Sequence, residues 1–554
     1  MARTQNVKRN LTFNIIKYIA QLVLQFVLRT VLMYVMGAEY LGLNGLFADI
    51  FQFLNLAELG VGSAIVFAMY KPVAENDIPK IKTLQNLYKK FYLIIALVVL
   101  AIGGVLTPFL KILIKDEVTV DINIYILFLM YLFNSIFGYL SAHKRSLLVA
   151  YQRNDIESKV KTVCLFAMTL IQIAVLFIFK NYYVYFAVNI VFTIVECVIV
   201  QVVANKLYPE INGKSVPLDN ETKKSITKNV AALSIHKLGS AVVFSTDSIL
   251  VSAFFGVVVL GAYSNYALII TSLSTIFNIM ETTIAGSVGN LIASTDTNYV
   301  HRKYKQINFI YSFVTAFCTI CMFVIFQPFI TVWTAKAKGG PLLLNFSTMA
   351  LLCVSFYLTK MRKGTRVFND CAGIFWQNKW QPIVEALVNI GASIGFIYLL
   401  GIDGVFLGTI VSTIIAPLWN EPRMLYKHYF KQSPACYFKR YLLDVIITIL
   451  VGAVCFFTCM LIPEGGILLL IVRMAVCVIL CVGLLVACYC WTPEFKDTIN
   501  LVKPFFNKIF KGKKKTEAVS ENQNENQTEM LEDNAYNEEN IVHEDVQTKK
   551  NEIE

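Results

Sequence analysis

The amino-acid sequence predicts an all-α, polytopic membrane protein. Of its 554 residues, 56% are hydrophobic and only 16% are charged, and the mean hydropathy is +0.59. Long apolar stretches recur from Leu11 to Cys490. Each is near or above the ~20 residues that a helix needs to cross the hydrocarbon of a bilayer. A membrane β-barrel would instead show short segments of alternating polarity, and these stretches are continuous.

The apolar stretches predict fourteen transmembrane helices, arranged as two pseudo-symmetric six-helix lobes followed by two C-terminal helices. The expected spans are 11–37, 41–70, 88–110, 122–142, 162–180, 182–204, 229–256, 258–292, 306–334, 341–359, 380–400, 404–422, 441–462 and 466–490.

Lysine and arginine in the loops predict the orientation of these spans. Every loop on the N-terminal side of the predicted bundle is rich in Lys and Arg, whereas the opposite loops hold only Lys111, Lys115, Lys180, Lys336 and Lys338. Basic loops remain in the cytoplasm. The sequence therefore predicts a cell (cytoplasmic) membrane protein with both termini in the cytoplasm. The net charge of +12 is then a topology signal and does not indicate nucleic-acid binding.

Composition also divides the chain into segments. The longest loop between spans contains "YPEINGKSVPLDNETKK", whose Pro, Gly and Asn are typical of a linker. The expected segments are an N-lobe at 1–204, a cytoplasmic linker at 205–228, a C-lobe at 229–440, the last two spans at 441–490, a basic interfacial segment at 491–515 and an acidic, disordered tail at 516–554.

A short internal repeat relates the first helix pair to the seventh and eighth helices. "VMGAEYLGLNGLFADIFQFL" aligns with "FFGVVVLGAYSNYALIITSL", so that Gly37 corresponds to Gly256 and Gly42 to Gly261. Both copies read as helix, glycine, tight turn and helix, and both start on the cytoplasmic side. Parallel repeats of this kind occur in transporters.

The first helix carries a polar stripe. On a helical wheel, Lys17, Gln21, Gln25 and Arg29 fall within roughly 120° of arc. Such a stripe is too costly to face lipid, so it is expected to face a cavity or a partner helix. The alternative is that these groups are interhelical pairs that only fix the packing.

Other spans add polar groups to the same predicted vestibule between the lobes. The expected substrate-binding residues outside the first helix are Asp49, His236, Lys237, Asp247 and Asn278. Glu58 and Glu281 are candidates for coupling to an ion gradient, with the packing interpretation left open for each.

The positive charge of the first helix indicates the chemistry of the cargo. A vestibule for cations would expose carboxylates there, whereas this helix carries Lys17 and Arg29. Arginine suits phosphate because its fork is planar and always charged. The chain shows no Walker A sequence, hydrolase triad or zinc signature, so we expect no cofactor, no metal and no enzymatic activity.

Several stretches resemble bacterial polysaccharide repeat-unit flippases. They are "GAEYLGLNGLFADIFQFLNLAELGVGSAIVFAMYKP", "HKLGSAVVFSTDSILVSAFFG", "LGAYSNYALI", "SVGNLIAS" and "GIDGVFLGTIVS". This Wzx-like group belongs to the multidrug/oligosaccharidyl-lipid/polysaccharide exporter superfamily. The resemblance covers roughly 11–445, and the last two spans are generic.

The resemblance implies a function. Such flippases move undecaprenyl-diphosphate-linked oligosaccharides from the inner to the outer leaflet, by alternating access, for capsule or exopolysaccharide assembly. A monomeric transport unit is expected, with lipid-linked oligosaccharide, membrane lipids and polysaccharide polymerase or assembly proteins as partners. Two alternatives stay open: a cation-coupled multidrug antiporter of the same superfamily, and an integral-membrane glycan polymerase or glycosyltransferase. The short exterior loops count against the polymerase.

Overall fold

A computed structural model describes residues 2–55, 61–115, 120–211, 213, 220–338, 340–374, 377–378, 380–463 and 465–510. Within these ranges, side chains are described except at 2–15, 61, 63–64, 220–245, 501–502 and 504–510. All regular structure in the described part of the chain is helical, which confirms the predicted fold class.

The first half of the chain forms eight α-helices. They are α1 (Ala2–Val35), α2 (Ala38–Leu54), α3 (Val61–Glu75), α4 (Ile78–Leu106), α5 (Ile124–Leu140), α6 (Ala142–Ala150), α7 (Asn154–Phe179) and α8 (Tyr182–Leu207). Short 3₁₀ turns follow α4 at Thr107–Ile112 and α8 at Pro209–Ile211.

The second half continues with ten α-helices. They are α9 (Asn220–Ser294), α10 (Thr297–Thr334), α11 (Phe346–Met361), α12 (Lys363–Cys371), α13 (Gln381–Leu400), α14 (Ile402–Thr413), α15 (Trp419–Leu425), α16 (Ala435–Met460), α17 (Gly466–Tyr489) and α18 (Pro493–Phe510). Two π-helical segments, Ile414–Leu418 and Tyr426–Phe430, flank α15.

Side-chain caps explain where several helices begin. Asp77 accepts a hydrogen bond from the backbone N–H of Lys80 at 3.0 Å and so caps α4. Asn123, Asn181 and Asp296 cap α5, α8 and α10 in the same way. Each cap satisfies a backbone donor that the first helical turn leaves without a partner.

Eleven helical stretches of the described chain are long and apolar enough to cross a membrane. This count is three lower than the predicted fourteen, for three local reasons. The stretch Thr246–Ser294 runs through two predicted spans, the span at 41–70 is divided between α2 and α3, and the span at 341–359 corresponds to the 16-residue α11. Fourteen therefore stays a prediction, whereas an integral, multi-pass membrane protein is shown.

The packing fits a bilayer as solvent. Large apolar side chains such as Leu97, Ile178, Leu399 and Ile479 are exposed along the spans, where the neighbour of an outward-facing side chain is lipid. Residues up to 489 form one compact unit, and a second unit begins at residue 490. In the second unit the described structure is α18, whose lysines and apolar residues alternate along the sequence as in an interfacial helix. The lobe boundaries, the linker and the interfacial position of this segment stay predictions, and residues 511–554 lie outside the described part.

Candidate functional site

The two glycines paired by the sequence repeat share an unusual backbone conformation. Gly37 has φ 105° and ψ −175°, and Gly256 has φ 84° and ψ 169°. Positive φ with extended ψ is a region that only glycine occupies at low cost. Gly37 separates α1 from α2, and Gly256 interrupts α9 in the equivalent place. We refer to the bundle end near these two glycines as the glycine end.

The helices that follow these glycines pack against each other without side chains between them. A Cβ atom on Gly42 would lie 1.9 Å from the backbone oxygen of Val257, and one on Gly261 would lie 2.3 Å from the backbone oxygen of Ala38. The contact is reciprocal, because each copy of the repeat places its glycine on the backbone of the other. The bundle is therefore closed at this position.

Arg29 lies just inside this contact. Its Nε donates to the side-chain oxygen of Asn265 at 2.7 Å, and its guanidinium also donates to the hydroxyl of Ser264. Both partners are neutral and lie on α9, after Gly256. A half-buried cation in a membrane span thus joins the two copies of the repeat, and its described hydrogen-bond partners leave its charge without a counterion.

An aromatic and hydroxyl cluster beside Arg29 joins α1 to α10. The indole of Trp333 on α10 stacks on Phe26 with ring centroids 4.5 Å apart and donates to the hydroxyl of Thr30 at 2.8 Å. Tyr34 donates to the backbone oxygen of Trp333 at 2.7 Å. These bonds fix α1 on α10 and so fix the position of Arg29.

A second polar group lies where α2, α9, α13 and α14 meet. Asp247 accepts a hydrogen bond from the hydroxyl of Thr409 at 2.9 Å, and Asn389 donates to the same hydroxyl at 2.9 Å. Asp49 of α2 is hydrogen-bonded to Ser248 and lies close enough to Asp247 for the two carboxyl groups to interact electrostatically. The side-chain oxygen of Asn389 is buried and has no hydrogen-bond partner in the described structure. This group offers several oxygen atoms to a hard cation or a proton.

The third polar group is an ion-pair network around the short helix α12. Lys363 forms a salt bridge with Glu281 and donates to the side-chain oxygen of Asn278 at 3.4 Å. Its neighbour Arg362 bridges Glu385 at 3.4 Å and Glu421 at 3.2 Å. These pairs tie α12 to α9, α13 and α15. Burial lowers the pKa of Lys363, and the nearby Glu281 carboxylate opposes that change.

Polar side chains on the second part of α9 are exposed next to this network. Thr271, Asn278 and Thr282 lie on one face of the helix, and all three are exposed. Exposed polar groups inside a membrane span are tolerated where the helix lines a water-filled cavity.

The remaining residues of the first-helix stripe lie further from Arg29 along α1. Lys17 is half-buried, with Glu157, Lys161 and Glu196 of α7 and α8 as its charged neighbours. Gln21 is half-buried and Gln25 is exposed.

The structure thus places five of the predicted site residues in three separate sets, and Lys17, Gln21 and Gln25 lie in none of them. Arg29 lies with Asn265 and Ser264, Asp49 lies with Asp247, and Asn278 and Glu281 lie with Lys363. Glu58 and the side chains of His236 and Lys237 lie outside the described residues, so their predicted roles stay predictions.

Sequence reasoning missed two members of these sets. Asn265 corresponds to the apolar Leu46 in the repeat alignment, so the repeat gives no signal for it. Lys363 was counted only as a loop cation that fixes orientation. The one signal for it in the sequence is its place in a cluster of cations beside a predicted span, directly after Arg362 and three residues before Arg366.

The fold and the polar groups within its spans define an integral, multi-pass membrane protein. Residues 7–285 match the model of the polysaccharide biosynthesis protein family. The chain belongs to this family.

Solved structures with the same fold include the lipid II flippase MurJ in an inward closed conformation. It has a TM-score of 0.59 and 14% identity, over 86% of this chain and 99% of that chain. An inward-facing multidrug resistance MATE family transporter has a TM-score of 0.53 and 14% identity, over 73% of this chain and 94% of that chain. A MATE transporter of Vibrio cholerae has a TM-score of 0.52 and 12% identity, over 78% and 98%. No curated protein sequence matches the chain significantly.

Proposed function

We propose that this protein is a flippase that moves undecaprenyl-diphosphate-linked oligosaccharide repeat units from the inner to the outer leaflet of the cytoplasmic membrane, for capsule or exopolysaccharide assembly. The observation that carries the proposal is Arg29, a membrane-embedded cation held by the neutral Asn265 and Ser264 at the junction of the two repeats. A guanidinium held by neutral partners keeps its charge available for an anionic ligand. Diphosphate matches its planar, multiply donating fork.

The closed glycine end supports alternating access. In the orientation that the loop charges predict, this end is the exterior one. The exposed polar face of α9 at Thr271, Asn278 and Thr282 then opens towards the cytoplasm, where the lipid-linked substrate is made. The oligosaccharide would lie against this face and Gln25, and the lipid tail would remain in the bilayer.

The membrane potential, and not a reaction at the Arg29 site, would drive the outward transport. An inside-negative potential favours outward movement of the anionic headgroup by ~2.3 kcal/mol per charge per 100 mV. The Asp247–Thr409–Asn389 group, together with Asp49, could also couple transport to a proton or sodium gradient, because it presents carboxyl, hydroxyl and amide oxygens between α9, α13 and α14.

The same carboxyl pair favours a second candidate function, a cation-coupled multidrug antiporter. Asp49 and Asp247 could bind a cationic drug as well as a coupling ion. The Arg29 site counts against it, because a cationic cargo would have to pass a guanidinium that lacks a counterion among the described residues.

The deciding experiment is transport in liposomes. Purified protein is reconstituted with fluorescent undecaprenyl-diphosphate oligosaccharide, and movement between leaflets is followed by accessibility to a membrane-impermeant reagent. We expect flipping by the wild type and not by protein-free liposomes. Uptake of a cationic dye against an ion gradient, without flipping of the lipid, would favour the antiporter and refute the proposal.

A further inference from the structure

A basic pocket lies at the end of the α14–α15 helix run; its lining residues belong to none of the three polar groups described above, although Glu421 of the third group lies on the same helix α15. It has a volume of about 550 Å³ and is lined by Trp419, Arg423, Lys427 and Lys431, with Ser433 and Phe438 from the following turn and α16. None of these residues contacts Arg29, Asp49 or Asp247 in the described structure. The pocket is therefore a separate feature of the C-terminal half.

Helical spacing places the cations of this pocket on one face. Trp419, Arg423, Lys427 and Lys431 are four residues apart, and all are exposed. The Arg423 guanidinium lies 5.5 Å from the centroid of the Trp419 ring. Within the part of the chain that the structure describes, no carboxylate forms an ion pair with these three cations. Three positive charges thus share one cavity without neutralisation.

The π-helical segments on both sides of α15 contribute to this arrangement. Such segments widen the helix and occur frequently at functional sites. The second one ends at Phe430, and the residue that caps it, Lys431, has a left-handed φ of 52°. The chain turns there, and the turn brings Phe438 of α16 to the same cavity.

The pocket lies at the boundary between hydrocarbon and water. The apolar stretch Ile402–Phe430 has 29 residues, or about 43 Å of helix, against about 30 Å of hydrocarbon. Its basic end therefore extends into the headgroup region. Trp419, an exposed indole, marks the membrane interface.

Apolar surfaces continue from the pocket towards the membrane centre. Ile414 and Ile415 are exposed on one side, and Leu442 and Ile446 of α16 are exposed on the other. A ligand with acyl chains would cover these surfaces, whereas a free phosphate would leave them to other lipids.

We propose that this pocket binds the phosphate headgroup of an anionic phospholipid of the inner leaflet, with its acyl chains on the exposed faces of the π-helical segment Ile414–Leu418 and of α16. Arg423, Lys427 and Lys431 bind the phosphate, Ser433 offers a hydroxyl donor, and Trp419 and Phe438 enclose the glycerol region. Basic pockets between transmembrane helices on the cytoplasmic side recognise anionic headgroups by this chemistry. The leaflet follows from the predicted orientation, in which this end is cytoplasmic.

The test is native mass spectrometry of the purified full chain after incubation with phosphatidylglycerol, cardiolipin or phosphatidylcholine. The pocket variant carries three substitutions, Arg423→Gln, Lys427→Gln and Lys431→Gln. A control variant carries three others, Lys80→Gln, Lys206→Gln and Lys439→Gln. The control removes the same charge from exposed positions that do not line the pocket. We expect the pocket variant to bind anionic phospholipid roughly 100-fold more weakly than the wild type, and the control to bind within about threefold of it.

Several outcomes would overturn the proposal. They are equal retention of phosphatidylcholine, equal loss in both triple variants, or full competition by inorganic phosphate at concentrations near those of the lipid. A photoreactive phosphatidylglycerol that labels no peptide from 419–438 would also refute it. Thermal melting without added lipid tests whether the triple pocket variant folds. A separate double variant, Lys427→Arg with Lys431→Arg, keeps both charges and should bind the lipid as the wild type does. Lipid retention is measured without transport, so failure of the flippase proposal would leave this test unaffected.

Discussion

The guanidinium of Arg29 and the side-chain amide of Asn265 lie 236 residues apart in sequence and are joined by a hydrogen bond of 2.7 Å. The bond connects α1, in the first copy of the repeat, with α9, in the second copy. A ligand that took over this guanidinium would therefore act on the junction between the repeats. Substrate binding and movement of the two halves can be coupled through this one residue.

Substitution of Arg29 tests this coupling. We expect Arg29→Ala to abolish surface polysaccharide and to reduce flipping in liposomes at least tenfold, because hydrogen bonds to a charged group contribute about 1.5–3 kcal/mol each. Arg29→Lys should retain part of the activity, because it keeps the charge but loses the planar fork. Membrane levels of each variant are the control, and wild-type polymer in cells with Arg29→Ala would rule out the role.

The partner residue gives a second measurement on the same bond. Asn265→Ala removes the acceptor of Arg29 Nε but leaves the cation in place. We expect this variant to lose less activity than Arg29→Ala, with substrate affinity altered more than the maximal rate. If Asn265→Ala were as inactive as Arg29→Ala while properly folded, the bond itself, and not the free charge, would be the functional feature.

The glycine contact allows a steric prediction. Gly42→Ala would place a Cβ atom 1.9 Å from the backbone oxygen of Val257, where no flexible side chain can move away. The two repeats must then separate at the glycine end. We expect a destabilisation of about 1–3 kcal/mol, seen as a lower melting temperature, together with loss of flipping.

A neighbouring glycine on the same helix provides the control. A Cβ atom on Gly45 would meet Ser264 Cβ at 3.6 Å, an ordinary van der Waals distance. Gly45→Ala should therefore fold and transport normally, and should gain up to about 1 kcal/mol from its better helix propensity. Equal defects in both variants would show that close approach of the repeats is not the cause.

The sequence predicted the frame of this arrangement but not its contacts. The repeat paired Gly37 with Gly256, and both have the same positive-φ backbone, because a tight connection between helices requires glycine there. The bond from Arg29 to Asn265 was not predictable, since it depends on how two helices more than 200 residues apart rotate against each other. The polar stripe predicted which face of α1 turns away from lipid. The partner of each residue on that face depends on how α1 packs against the other helices.

The predicted role of Glu281 changes most when its surroundings are known. As an isolated carboxylate in a span, it was a candidate for ion coupling. In the structure it pairs with Lys363, and the side chains of Glu281 and Lys363 are only 22% and 13% exposed. A coupling ion would have to displace a lysine, so we expect the pair to position α12 instead.

Charge reversal tests this positioning role. Removal of one partner of a buried pair leaves an uncompensated charge and typically costs about 3–5 kcal/mol. Glu281→Gln and Lys363→Gln should therefore each lower the melting temperature, and the double reversal Glu281→Lys with Lys363→Glu should recover part of the loss. The readouts are thermal melting and flipping. Additive losses in the reversed protein would contradict a direct pair.

Coupling to an ion gradient is tested at Asp247. We expect Asp247→Asn to retain flipping driven by the membrane potential but to lose any stimulation by a sodium or proton gradient, because the amide cannot bind a proton or supply a negative charge to a cation. Asp403→Asn, which changes a carboxylate that accepts from Thr348 at the other end of α14, is the matched control. Gradient stimulation that survives in Asp247→Asn would exclude this group as the coupling site.

A pH dependence of stability follows from Asp370, which lies on α12 outside the spans. Burial raises the pKa of its carboxyl from 3.8 to about 6, although the nearby Arg366 guanidinium opposes the shift. Because the folded state then binds a proton more tightly than the unfolded state, this group stabilises the fold at low pH, and the stabilisation is lost as the pH rises from about 4 to about 6.

Asp370→Asn lacks this titration. Between pH 4 and pH 7, the free energy of unfolding of the wild type should therefore fall by up to roughly 3 kcal/mol relative to that of Asp370→Asn. Thermal melting in detergent at both pH values measures it, with Glu210→Gln, which changes an exposed carboxylate, as the control. A constant difference across this range would show that Asp370 is charged throughout, with Arg366 as the dominant influence on it.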